Sequence, residues 1–78
     1  MPPPARKPAK DPALRRLGER IRELRVERGL SQEGLADAAR IGRAYMSGIE
    51  RGVRNCSVLH LLKIAKALKV DAGALFRA

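Results

Sequence analysis

Tryptophan is absent, and one tyrosine and one phenylalanine make up the whole aromatic complement of the 78 residues. A chain so poor in rings has no platform on which successive unpaired bases stack, so single-stranded RNA or DNA is a poor fit as a partner. The single cysteine, Cys56, excludes an internal disulfide and leaves no cysteine cluster for a metal, and a reducing cytoplasmic setting is expected. Apolar runs stay far short of the roughly 20 residues a membrane helix needs, and the proline-rich start lacks the apolar stretch of a signal peptide. No membrane partner is expected. His60 is the only histidine, and no carboxylate stands at a spacing that would orient it. Ser31, Ser47 and Ser57 have no recognisable base partner, the acids are scattered among arginines, and no glycine-rich phosphate loop follows a strand. Neither enzymatic activity nor a cofactor is expected.

Acids are the other scarcity. Eight of them face seventeen lysines and arginines, a formal net charge of +9, and so large a surplus on so short a chain points to a polyanionic partner. A basic surface that only keeps the chain soluble is the competing reading, and with stacking platforms missing a nucleic-acid partner is expected to be a duplex and not a single strand. The length leaves room for one small domain with a marginal core, and self-association is the expected supplement.

In chain order, MPPPARKPAK carries four prolines and three cations, and residues 1–11 are expected to be a flexible basic arm. Such an arm either tracks phosphates or a minor groove, or is a solubilising tail without fixed contacts. The folded domain is expected over residues 12–78. Asp11-Pro12 is an N-cap followed by a first-turn proline, and Leu14, Leu17, Ile21 and Leu24 then form one apolar stripe before Gly29 ends the helix.

The centre of the chain is Ser31 to Gly52. Ser31 is a cap for a helix from Gln32 to Ala39 whose inner face is Leu35, Ala36 and Ala39. After a short turn at Gly42, Arg43 to Arg51 resumes the helical period with Met46 and Ile49 inward and Arg43, Ala44 and Ser47 outward. Helices this short are marginal alone in water, and a small Ala36 with a turn of three or four residues sets them as a helix-turn-helix.

The run LSQEGLADAARIGRAYMSGIERG resembles the Cro and lambda-repressor (XRE) type of helix-turn-helix regulator, and RAYMSGIERGVRN is most similar to the controller proteins of restriction-modification systems. The resemblance extends from Leu17 to Phe76 and implies an all-α, compact five-helix bundle with a central helix-turn-helix, a lambda-repressor-like DNA-binding domain. It departs from the family pattern at Gly34, where an acid is usual, at Arg40, where glycine usually ends the helix, and at Gly42, where a polar cap is usual. A homodimeric transcriptional regulator on a palindromic operator is implied, with RNA polymerase as a further partner. An antitoxin or phage repressor, or a protein-interaction module on the same fold, is the alternative.

Residue roles follow from position. Arg43 is the long donor nearest the deep end of the recognition helix and fits the O6 and N7 acceptors of guanine, with Ala44 and Ser47 beside it. Pairing of Arg43 with a phosphate or with Glu50 is the competing assignment. Gln32, Tyr45, Arg51, Arg54, Asn55 and Ser57 are expected on the DNA backbone; for the loop RGVRN this is chiefly what the resemblance implies, since the controller proteins carry a similar Arg-Asn there, and a plain polar turn is the alternative. After Ser57 the stripe of Val58, Leu61, Leu62, Ile64, Ala65 and Leu68 is wider than one core contact requires, and Leu62, Val70, Leu75 and Phe76 are assigned to the dimer interface.

Overall fold

Every helix start that the sequence marks with a polar side chain is used. The computed structural model describes residues 11–77, so the basic arm, apart from Asp11, lies outside the described residues. Asp11, Ser31 and Ser57 each accept a free first-turn N–H, from Ala13 at 2.8 Å, Gly34 at 2.9 Å and His60 at 3.1 Å. They open α1 (Pro12–Glu27), α2 (Gln32–Ala39) and α4 (Val58–Leu68), while α3 (Arg43–Arg51) begins at Gly42 without a side-chain cap.

The helix ends share one device. A residue in the left-handed region stops each helix: Gly29 at φ 72°, Arg40 at 58°, Gly52 at 76° and Lys69 at 60°. The N–H that follows, from Leu30, Ile41, Val53 or Val70, bonds the carbonyl five residues back at 2.9 to 3.0 Å, and all four of these residues are apolar. Arg40 and Lys69 hold a conformation that glycine adopts without steric cost.

The five-helix count needs correction. Four α-helices are followed by a 3-10 helix, Ala72–Phe76, in which Asp71 caps the Ala74 N–H at 3.0 Å. Five residues with a glycine among them are too few to build an i to i−4 ladder, and the tighter turn takes over. The all-α class stands, with no strand among the described residues.

α1 packs on α3 and on the 3-10 helix, and α2 packs on α3 and α4. Ile21, Leu35, Met46, Ile49, Ile64, Leu68 and Leu75 are fully buried where these elements meet. Gly18 lets α1 lie directly on the end of α3, because a Cβ there would run into the Ile49 and Glu50 carbonyls. Beside that contact sits a buried ion pair. Arg25 of α1 grips Glu50 of α3 with Nε to Oε2 at 2.8 Å and Nη2 to Oε1 at 3.2 Å, and its Nη1 donates to the Leu30 carbonyl at 2.9 Å. Gln32 of α2 adds Nε2 to Oε1 at 3.2 Å. Three helices and one loop thus converge on a carboxylate whose side chain is 3% exposed.

Breaking a buried pair by removing one partner strands the other charge away from water, at about 3 to 5 kcal/mol. A domain of this size has little more than that to lose. Glu50→Ala is therefore expected to remove most of the cooperative unfolding transition in urea, followed by circular dichroism. A loss below about 1 kcal/mol would show the pair to be neutral, as exposed pairs usually are.

Candidate nucleic-acid interface

With Met46, Ile49 and Glu50 committed to the interior, the rotation of α3 about its axis is set, and Arg43, Ala44 and Ser47 are left on the outside. Arg43 and Ala44 are exposed and Ser47 is half-buried. Ser47 Oγ accepts from Arg51 Nε at 3.3 Å, so Ser47 and Arg51 lie one turn apart on the same face. The alternative pairing of Arg43 with Glu50 is overturned, since Glu50 is held by Arg25 and Gln32. Arg43 instead lies 3.8 Å from Glu33 of α2, and both side chains stay exposed. An exposed pair of that length holds Arg43 loosely and leaves its donors available.

The assigned backbone set divides. Arg51, Arg54, Asn55 and Ser57 are exposed along the loop that leaves α3. Ser57 Oγ spends a lone pair on the His60 N–H and keeps its proton for an outside acceptor. Gln32 turns inward, contrary to its assignment: its amide donates to buried Glu50, and only its main-chain N–H remains at the start of α2 to meet a phosphate. Tyr45 also differs. Its hydroxyl donates to the Asn55 carbonyl at 2.7 Å, so its one proton is already used, and its ring lies beneath the Arg54 guanidinium, 5.7 Å away. Cation–π attraction of this kind keeps a guanidinium against the ring while its edge still faces solvent.

Gly48 completes this arrangement. A Cβ at that position would stand 2.5 Å from Arg54 Cγ and 3.3 Å from its Cδ and Nε, so the bare backbone of α3 is the bed on which the Arg54 stem lies. The loop's only cysteine, Cys56, is half-buried, and burial pushes its thiol from 9.0 up to about 11. It stays protonated at neutral pH and is a poor nucleophile.

Of the residues assigned to a dimer interface, Leu75 does not belong there. It is 1% exposed and closes the core beneath α1 and α4. Val70 is half-buried against the same core, as the apolar residue after the left-handed Lys69. Leu62 and Phe76 remain outside at 51% and 66% exposure, joined by Val58 and Leu59, neither of which was assigned to the interface. Gly48, Arg25 and Glu50 were likewise missed as determinants of the site.

Residues 21–75 match the family model described as "Helix-turn-helix". The chain is 45% identical over 56 residues to the HTH-type transcriptional regulator RamB of Mycobacterium tuberculosis; the match takes in 72% of this chain but only 12% of RamB, so the chain spans a small part of that relative. The restriction-modification controller protein C.AhdI from Aeromonas hydrophila superposes with a TM-score of 0.83 at 45% identity, covering 85% of this chain and all of that one. SinR, a master regulator for biofilm formation solved in complex with DNA, superposes with a TM-score of 0.74 at 35% identity over 78% of this chain and 98% of its own. These relatives are regulators, not enzymes. Among the described residues no helix is long and apolar enough to cross a membrane.

The Arg54 guanidinium is shelved on the Tyr45 ring in the loop after α3 with its edge toward solvent, and a phosphate met there would carry no sequence information. Arg54→Ala is expected to weaken binding to any duplex by a similar factor and to lower the slope of log K against log salt by about one. Titrations of a specific and a random duplex across a salt series would check this, and a loss confined to one sequence would reassign Arg54 to base reading.

Proposed function

Because the chain belongs to the helix-turn-helix family, we propose that it is a sequence-specific regulator of transcription that binds double-stranded DNA as a homodimer on a palindromic operator, with residues 12–78 as the DNA-binding and dimerisation unit. The observation that carries the reading is the outer surface of α3: Arg43, Ala44 and Ser47 face outward while Glu50 fixes the helix from behind. A B-form major groove, about 12 Å wide, admits one helix, and its floor offers the paired O6 and N7 acceptors that a guanidinium spans. In this reading Arg43 reads guanine, Ala44 and Ser47 contact neighbouring bases, and Arg51, Arg54, Asn55, Ser57 and the Gln32 main chain hold the backbone. Tyr45 acts on the backbone indirectly, through the loop it ties down.

Likeness to C.AhdI over that protein's full length supports the narrower reading of a restriction-modification controller. RNA polymerase belongs to the same reading, as the machinery that a regulator seated at a promoter blocks or recruits, and the setting is the cytoplasm around the nucleoid.

Selection from random duplex DNA tests the base assignments. The wild-type chain is expected to return an inverted repeat with a guanine in each half, the halves about 34 to 36 Å apart as two recognition helices require. Arg43→Ala should cost about 1 to 3 kcal/mol on that site and relax one position per half. An unchanged motif with the Ala variant would show that Arg43 reads nothing.

The dimer assignment rests on Val58, Leu59, Leu62 and Phe76, apolar side chains left in water by the single chain. In sedimentation at tens of micromolar the wild-type chain should run as a dimer and Leu62→Glu as a folded monomer with weakened operator binding. A wild-type monomer that binds the operator normally would overturn it.

A further inference from the structure

His60 is not among the residues proposed to read bases, yet its ring stands against Tyr45, behind the loop proposed to hold phosphate. Its main chain lies in the first turn of α4, bonded to Ser57, and its ring meets the ring of Tyr45 from α3 in an edge-to-face contact, centroids 5.1 Å apart and planes at 66°. Its Nδ1 is buried with no hydrogen-bond partner, and among the described residues no carboxylate pairs with it. An unpartnered nitrogen contributes nothing to holding the ring there. What the side chain supplies is a flat wall against Tyr45.

Tyr45 in turn helps hold the second half of the loop, beside the packing of Cys56 on the core and of the Arg54 stem on Gly48. Main-chain bonds from Gly52 to Ile49 and from Val53 to Gly48 fasten the first half to α3. Among the described residues no main-chain hydrogen bond outside the helices reaches Arg54, Asn55 or Cys56. The tie at that point is the Tyr45 hydroxyl on the Asn55 carbonyl, and the Tyr45 ring is the shelf under Arg54. Taking away the ring behind Tyr45 removes one of the contacts that restrain it, beside its packing on the core, and so loosens the tie and the shelf together.

We infer that His60 is a positioning residue for DNA binding: its ring, and not its nitrogens, holds Tyr45 against Asn55 and Arg54 and so fixes the phosphate-contacting loop. The inference rests on the DNA reading above and adds to it a residue that touches no DNA.

The test measures affinity by fluorescence anisotropy for the duplex selected by the wild-type chain and for a scrambled duplex of equal length, each across a potassium chloride series. His60→Ala is expected to bind both duplexes about tenfold more weakly, with the salt slope reduced by about one. Combined with Arg54→Ala it should lose less than the product of the two single losses, because the Arg54 contact is removed by both changes. His60→Phe keeps the flat wall and discards the orphaned nitrogen, so it should restore wild-type affinity and slope.

Tyr45→Phe keeps both rings in place and removes only the tie to Asn55. It should lose part of the affinity on both duplexes, and it serves as the second variant if thermal unfolding shows that His60→Ala does not fold. Wild-type behaviour in His60→Ala, or in Tyr45→Phe, overturns the inference, as do losses that multiply in the double variant or a Phe variant as weak as the Ala variant. Each of these outcomes leaves the DNA reading standing. Only a wild-type chain that binds neither duplex removes that reading, and the inference with it.

Discussion

Two opposite charges shut away from water between three helices constrain everything this domain presents to the outside. Removing a carboxylate and a guanidinium from solvent is costly, and the cost is offset only when every donor and acceptor finds a partner. Here that condition is met closely: the Glu50 oxygens take three N–H groups, two from Arg25 and one from Gln32, and a further Arg25 nitrogen finds the Leu30 carbonyl. Apolar contacts alone would let a nine-residue helix settle at several rotations, since Met46 and Ile49 tolerate small slides in a greasy seat. A bidentate pair does not. The rotation of α3 is decided on its buried side, and the identity of its exposed side follows.

The basic character of the chain divides along the same lines. Arg25 is part of the core, Arg20 spends Nε on the Ala74 carbonyl at 3.0 Å and Nη1 on Glu23 at 3.1 Å, and Arg77 lies 3.5 Å from Asp71. Arg25 and Arg20 are tied into the fold, whereas the Arg77 pair is exposed on both sides and holds its cation loosely. Arg51 and Arg54 are directed by a hydroxyl and a ring where α3 meets its following loop, while Arg16, Arg22, Arg28 and Arg40 are exposed elsewhere and likewise carry no carboxylate partner among the described residues. A net charge of +9 makes a polyanion attractive.

How much of this was legible in the sequence depends on the range of the interaction responsible. Asp11, Ser31 and Ser57 act within three residues, and their caps and the helices after them stand where the local pattern puts them. The outward face of α3 was legible for the same reason, because Met46 and Ile49 point inward at helical spacing. The pairing of Arg25 with Glu50 spans 25 positions and looks, in one dimension, like two more charges on arginine-rich helices. Gly18 gave no signal, since a glycine inside a helix is read as a weak residue until the neighbouring backbone is in view. Leu75 and Phe76 are adjacent, and which of them turns inward depends on whether the last turn is α or 3-10, a choice that apolar periodicity over five residues cannot make. Tyr45 was read as pointing to DNA because nothing local showed Asn55 folding back toward it.

The left-handed stops at Gly29, Arg40, Gly52 and Lys69 bear on how such a domain changes over generations. Each helix is terminated by its own last turn and the apolar residue after it, so its length is not adjusted by its neighbours. One residue added inside α3 would turn everything before it by about 100° relative to everything after it. With Glu50 and Gly52 fixed against α1, that rotation would fall on Arg43, Ala44 and Ser47 and swing them off the outer face. Substitution at these three positions leaves the frame untouched. Under the proposed reading, point changes at these three positions alter the sequence recognised, while an insertion or deletion inside α3 displaces all three at once.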